Sequence, residues 1–444
     1  MPLFDKKLAS LLLLFTASLL FLPKLNLLTM GSETAGLRID DLILLAFSGI
    51  LLLAHYLLRR RLTTYEIWIL ALTGFSLFSY LSNVFLVQYG SLKINANPLY
   101  ALRLLEYFSF FYIGAIAAEL GLGRKIIFAF FIWNMALMAL QKLNLIGALS
   151  VEGYRDDASA RVQGIASFPS EMGLILNLLY CYIVFDSTPA TFLYNRLNAH
   201  KFRYLIADLA PYGWFTLFAI LITLTGNRIS LVALMLCFLF QMRIFLKKSL
   251  LRVFFATLIC LPIVLGVITV GIVYSEAIST RSESLFSWKN IELASVVWDG
   301  INLETMDNES EVVTAKEYDM SWWMRIHKWV YMTKMFVYHP ECYLQGLGPG
   351  TSGAALDGGI LRIFVEIGFI GFFIFFWGMQ KIRKINLQLK WMVFSLWVNM
   401  IFFDAYLAYK VMSLLFFVAG DKYTLLIQSS PPPKRLAFNA TYSS

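Results

Sequence analysis

A handful of polar side chains in an otherwise apolar chain could do chemistry on a phosphorylated lipid. Arg103, Arg161, Arg228, Arg325 and Arg362 stand at or near the ends of hydrophobic runs. A guanidinium is a planar fork that can grip phosphate or diphosphate through two parallel hydrogen bonds. Arg103 has Glu106 one turn on and Arg362 has Glu366 at four, so these two read first as intrahelical ion pairs. Arg161, Arg228 and Arg325 read as diphosphate ligands, with snorkelling to lipid headgroups as the other account. Two carboxylates, Asp357 and Glu171, fall at the mouths of predicted helices, where the helix N-terminus favours the ionised form. Asp357 could act as a general base on a sugar hydroxyl, orient an acceptor, or simply cap its helix. Glu171 ranks second for the same role, and capping explains it more readily. His327 and His339 could titrate near neutrality but read as loop residues. Asp208, Glu119 and Asp404 are too scattered in sequence to suggest a proton relay.

These groups need a scaffold, and composition says which kind. A 444-residue chain that is 59% hydrophobic and 15% charged is a helical, polytopic membrane protein. Its mean hydropathy of +0.68 agrees. Apolar runs near 8–28, 41–58, 66–89, 99–121, 126–147, 171–186, 205–225, 229–246, 252–274, 359–380, 391–408 and 411–428 predict about twelve spans. The first follows Lys6 and Lys7 but lacks a small-residue cleavage site, so it reads as an uncleaved span. This divides the chain into helices over 1–274, a large external loop over 275–358, further helices over 359–428 and a tail over 429–444.

Basic residues set the orientation. With the N-terminus cytoplasmic, the inner side collects Lys6, Lys7, Arg59 to Arg61, Arg124, Lys125, Arg243, Lys247 and Lys248 among others, which puts both termini inside and the long loop outside. The net charge of +9 therefore reports topology, and nucleic acid is a poor partner for it. Of the four cysteines, Cys181, Cys237 and Cys260 lie in apolar runs and only Cys342 could meet an oxidising compartment, so no disulfide is expected. No Cys/His spacing suits a metal.

Within the loop, 319–338 carries Trp322, Ile326, Trp329, Val330 and Phe336 at helical spacing with Arg325, Lys328 and Lys334 interspersed. It is either an interfacial amphipathic helix or a helix packed on the membrane domain. The acidic segment 302–313 is expected to be the least ordered part. The chain is organised around 339–371, where glycines 346, 348, 350, 353, 358 and 359 precede the re-entry into lipid.

Four segments carry a family resemblance: Arg161-Val-Gln-Gly-Ile-Ala-Ser-Phe-Pro-Ser-Glu171, Thr225-Gly-Asn-Arg-Ile-Ser230, Arg325 in its Trp-rich helix, and Gly346-Leu-Gly-Pro-Gly350 with Asp357 and Glu366-Ile-Gly-Phe-Ile-Gly371. In order and in shared outer position they resemble the O-antigen polymerase and ligase superfamily, integral membrane glycosyltransferases of the C-type architecture. Ligases of that superfamily carry a His where this chain has Asp357, so the likeness is to the Wzy-type polymerase branch. The resemblance implies a multi-pass protein of the bacterial inner membrane with its active site on the periplasmic side. The donor would be a growing glycan on undecaprenyl diphosphate and the acceptor a lipid-linked repeat unit, with a chain-length regulator as a further partner. No metal or cofactor is needed if Arg161, Arg228 and Arg325 supply the positive charge. An O-antigen ligase acting on lipid A core is the alternative; a lipid-linked sugar flippase or transporter fits less well, since no inverted repeat is visible.

Overall fold

Polar residues between the apolar runs start and stop the helices. Thr63 accepts the Glu66 N–H while the Glu66 carboxylate takes the Thr63 N–H at 2.6 Å, a capping box. Asn97 caps the next helix ahead of Pro98, and Asn386 accepts the Leu389 N–H at 2.8 Å. The computed structural model describes residues 6–23, 26–29, 36–59, 61–150, 160–186, 200–246, 289–301, 320–353 and 355–429. Its helices are α1 (Lys6–Phe21), α2 (Ile39–Arg59), α3 (Thr64–Gln88), α4 (Pro98–Glu119), α5 (Gly123–Lys142), α6 (Pro169–Val184), α7 (His200–Thr225) and α8 (Arg228–Leu246), followed by α9 (Lys289–Gly300), α10 (Met320–Tyr338), α11 (Gly359–Ile382), α12 (Leu387–Asn399) and α13 (Tyr409–Ser429). Among the described residues, five helices are long and apolar enough to cross a membrane: α3, α4, α5, α11 and α13. Shorter apolar stretches lie at Asp41–Leu57, Pro169–Val184, Ala210–Thr225 and Arg228–Met242. The predicted span 252–274, the acidic segment 302–313 and the tail from 430 lie outside the described residues.

The protein is helical, as expected, and the structure corrects three boundaries. The first helix ends at Phe21, just before Pro23, instead of running to 28. Asn26–Thr29 then pairs antiparallel with Gly36–Arg38, a small β-ribbon in a helical protein. Helix α11 is interrupted at Gly368 (φ 65°, ψ −172°). Helix α12 stops at Asn399, and the stretch expected to stay helical to 408 is irregular apart from a 3-10 turn at Ala405–Leu407. Both interruptions have partners elsewhere in the fold, described below.

Packing is closest between α4 and α13. The two backbones meet through glycines: a Cβ on Gly114 would overlap the Phe417 carbonyl, and one on Gly420 the Phe111 carbonyl. Small residues allow this approach, which suits a medium where dispersion, not water exclusion, joins helices. Helix α11 lies on α3, where Trp68 packs over Gly378 and donates Nε1–H to Ile374 O at 2.9 Å. Helix α12 packs on α6 and α8. Free thiols of Cys181 and Cys237 face each other in the core with sulfurs 3.7 Å apart. Outside this body, α10 buries Ile326 and rests Trp322, Trp329 and Val330 against Leu293 and Val297 of α9, so that face is packed on protein.

Gly114→Ala or Gly420→Ala should therefore cost about 1–3 kcal/mol by overpacking. Thermal unfolding in detergent should show the loss, whereas Gly74→Ala, whose Cβ meets nothing, should be neutral or slightly stabilising.

Candidate functional site

The glycine-rich stretch is built into the break of α11. At Gly368 the helix leaves its hydrogen-bond ladder, and the loop supplies the missing partners. Leu347 N–H donates to Val365 O at 2.8 Å and Gly348 N–H to Glu366 O at 3.0 Å, while Phe369 N–H and Ile370 N–H donate back to Tyr343 O and Leu344 O at 2.9 and 3.2 Å. Gly346 (φ 83°) has to be glycine, because a Cβ there would strike the Glu366 carbonyl. Helix α3 secures the junction through Ser79 Oγ–H to Glu366 O (3.0 Å) and Asn83 Nδ2–H to Leu347 O (2.6 Å).

At the outer end of this junction Arg325 Nε–H donates to Asp357 Oδ2 at 3.3 Å, and both side chains are partly exposed, 31% and 40%. Helix α10 is held over the turn by Lys328 Nζ to Ala355 O (2.8 Å) and Trp329 Nε1–H to Leu356 O (2.9 Å). Asp357 sits in the left-handed region at φ 58°, which is uncommon for residues with a Cβ and most open to Asn and Asp among them. Burial pushes its carboxyl above the ordinary aspartate range and the Asp404 charge adds to this, while Arg325 and Lys328 pull the other way.

Beneath the turn lies a fully buried cation. Arg362 donates Nε–H to Glu366 Oε1 (2.9 Å), Nη1–H to Asp404 Oδ2 (2.8 Å) and Nη2–H to Gly353 O (2.7 Å), with the Tyr100 ring 5.1 Å away. The Arg362–Glu366 pair follows the four-residue spacing, and Arg103 pairs with Glu106 at 3.6 Å and with Asp41 at 2.8 Å. Sequence reasoning missed Asp404, which leaves the α12 run to meet Arg362 and the N–H groups of 356–358. Asn399 and Asp404, two polar residues inside a supposed span, were its one signal. Tyr406 donates to Glu366 Oε2 at 3.4 Å. Behind Glu366 a small cavity is walled by Leu72, Thr73, Tyr100, Ile363 and Phe375.

The remaining candidates form a second group. Arg161 Nε–H donates to Thr225 O at 3.3 Å, beside Gly226, and Arg228 opens α8 two residues later. Asn227 ties this turn to α6 through Ser170 O (3.1 Å) and to Ser230 Oγ (2.7 Å). Glu171 is buried, and its two oxygens accept the Ser167 N–H at 3.0 Å and the Lys410 N–H at 3.3 Å, the arrangement of a cap. Lys410 Nζ in turn donates to Leu19 O at 2.6 Å. Thus Arg325 and Asp357 are in direct contact, while Arg161, Arg228 and Glu171 cluster around the Thr225 turn. The segment 399–410 joins the two groups: Ser230 Oγ–H donates to Asn399 Oδ1 (2.6 Å), Asp404 meets Arg362, and the Lys410 backbone meets Glu171. Of the histidines, His327 is buried and His339 pairs with Glu341 at 3.0 Å. Among the described residues no cluster of three or more His, Cys, Asp or Glu could hold a metal ion.

The site sets one partly exposed guanidinium, Arg325, against a carboxyl that binds its proton more tightly than usual. No protein-family model, curated protein or solved structure matches the chain.

Arginine 325 opposes protonation of Asp357, so Arg325→Gln should move the Asp357 titration further up, as followed by carboxyl-carbon NMR in detergent. A folded value above the unfolded one means this carboxyl favours folding below the unfolded value, and that contribution is lost as pH rises through the folded one. Separately, Arg362→Met leaves Glu366 and Asp404 as uncompensated buried carboxylates. It should cost about 3–5 kcal/mol in thermal unfolding.

Proposed function

We propose that the chain is a membrane polysaccharide polymerase. It transfers a growing glycan from undecaprenyl diphosphate to the terminal sugar of a lipid-linked repeat unit on the periplasmic face of the bacterial inner membrane. The observation that carries this reading is the half-exposed Arg325–Asp357 pair at the mouth of α11, a helix long and apolar enough to span the bilayer. Guanidinium and carboxylate side by side at such a mouth suit a reaction in which a diphosphate leaves and a hydroxyl attacks.

In this mechanism the sugar's anomeric carbon bonds to the acceptor oxygen as its bond to diphosphate breaks. Charge then grows on the leaving group, and positioned cations that meet it lower the barrier. Arg325 fills that role with Arg161 and Arg228. Asp357 takes the acceptor proton or orients the acceptor, and a carboxyl raised toward working pH is a better-matched base. Glu171 is the weaker candidate, since both its oxygens already accept backbone N–H groups. The order of the four sequence segments supports the same reading, which entails about twelve spans with both termini cytoplasmic and one late external loop.

Purified protein given lipid-linked repeat units should produce a ladder of glycan lengths. Arg325→Ala should slow ladder growth by about 100-fold, and Asp357→Asn should suppress it. A single transfer onto lipid A core would make the chain a ligase instead. Movement of repeat units across liposomes with no glycan transfer would make it a transporter.

A further inference from the structure

Three consecutive backbone N–H groups converge on one side chain. Those of Leu356, Asp357 and Gly358 reach the Asp404 carboxylate at 2.7, 3.3 and 3.0 Å. The same carboxylate takes the Arg362 guanidinium at 2.8 Å. These donors lie in the turn just ahead of α11, whose N-cap, Gly358, supplies no side chain, and their acceptor arrives from a segment more than forty residues later. The middle residue of the three is Asp357, in the left-handed region. A non-glycine residue keeps that conformation only when its surroundings over-determine it.

We infer that Asp404 is a positioning residue: it fixes the backbone turn 356–358 and so aims the Asp357 side chain at Arg325 and at the acceptor. The mention of an acceptor rests on the polymerase reading; the control of the turn does not. Two features separate this role from simple neutralisation of Arg362. First, Asp404 Oδ1 accepts the Gly358 N–H, while Oδ2 is shared among Leu356, Asp357 and Arg362, so both oxygens hold backbone of the turn. Second, Arg362 already has Glu366 as a partner at 2.9 Å. A neutral asparagine in this place would set an NH2 group against N–H donors, so it cannot reproduce the cradle. A glutamate keeps the charge for Arg362 but displaces the acceptor by one methylene. The charged groups that face Asp357 are Arg325 and Lys328 from α10 and Asp404 from the 400–408 segment, with Arg362 and Glu366 of α11 behind Asp404.

Trp329 reports on the turn, since its Nε1–H donates to Leu356 O and its indole lies against Gly358. In protein labelled with 5-fluorotryptophan, with Trp329→Phe used to assign the resonance, Asp404→Glu should shift the Trp329 fluorine signal. Thermal unfolding should stay near wild type. In the ladder assay the same variant should lose about 10- to 100-fold in kcat, with KM for the repeat unit little changed. Asp404→Asn should move the acid limb of the rate profile to lower pH, because a negative charge beside Asp357 is gone. If Asp404→Asn does not fold, Asp404→Glu decides. An unmoved Trp329 signal in Asp404→Glu, or a moved signal with wild-type kcat, overturns the positioning role. A moved signal in a protein whose wild type transfers no glycan leaves the turn under Asp404 and removes the polymerase reading alone.

Discussion

A guanidinium with no access to solvent is the constraint on which the architecture around the start of α11 depends. Arg362 is fully buried on a helix long and apolar enough to cross a membrane, where an uncompensated charge would be very costly. Glu366 on the same helix answers part of that demand at the i,i+4 spacing. The rest has to come from elsewhere, and it comes from Asp404 and the Gly353 carbonyl. Meeting it requires α12 to end early, so that the chain after Asn399 can bring Asp404 across.

Much of the local architecture follows. With Asp404 beside Arg362, its spare acceptor capacity collects the N–H groups of the turn 356–358 just ahead of α11, while Ile360 N–H in the first turn of the helix donates to Met400 O at 3.1 Å. That turn holds Asp357 next to Arg325, while α10 is pinned above by Lys328 and Trp329. The same 399–410 segment reaches back to Ser230 and Glu171, so the arginines of the Thr225 turn and the Arg325–Asp357 pair share one supporting strap. Polar groups are tolerated here because Asn399, Asp404, Tyr406 and Lys410 of the strap each have hydrogen-bond partners within the protein.

Much of this was legible in the amino-acid sequence. Apolar runs located the long helices, and the Trp322–Ile326–Trp329–Val330 spacing placed α10, but the partner of that face, α9, was not foreseen. Pairing of Arg362 with Glu366 also followed from spacing alone. The breaks at Gly368 and Asn399 did not, because hydropathy averaged over a window sees Phe369 to Phe373 and Ile401 to Phe403 as continuing helix. What interrupts those helices is tertiary: the 343–348 backbone in one case, Arg362 and the 356–358 turn in the other. Asp404 read as a stray acid for the same reason, its partners being distant in the chain. Glu171 was legible as a cap, though not as the acceptor for Lys410 N–H, which lies far along the chain.

The junction at Gly368 bears on how the polypeptide is assembled. Four backbone hydrogen bonds tie 343–348 to the two halves of α11, and the loop residues come first in the chain. In lipid, the freed amides and carbonyls at the bend would go unanswered without that loop. The bend therefore belongs to the assembled protein and not to the helix alone: a straight rod is the form open to α11 until 343–348 docks on it.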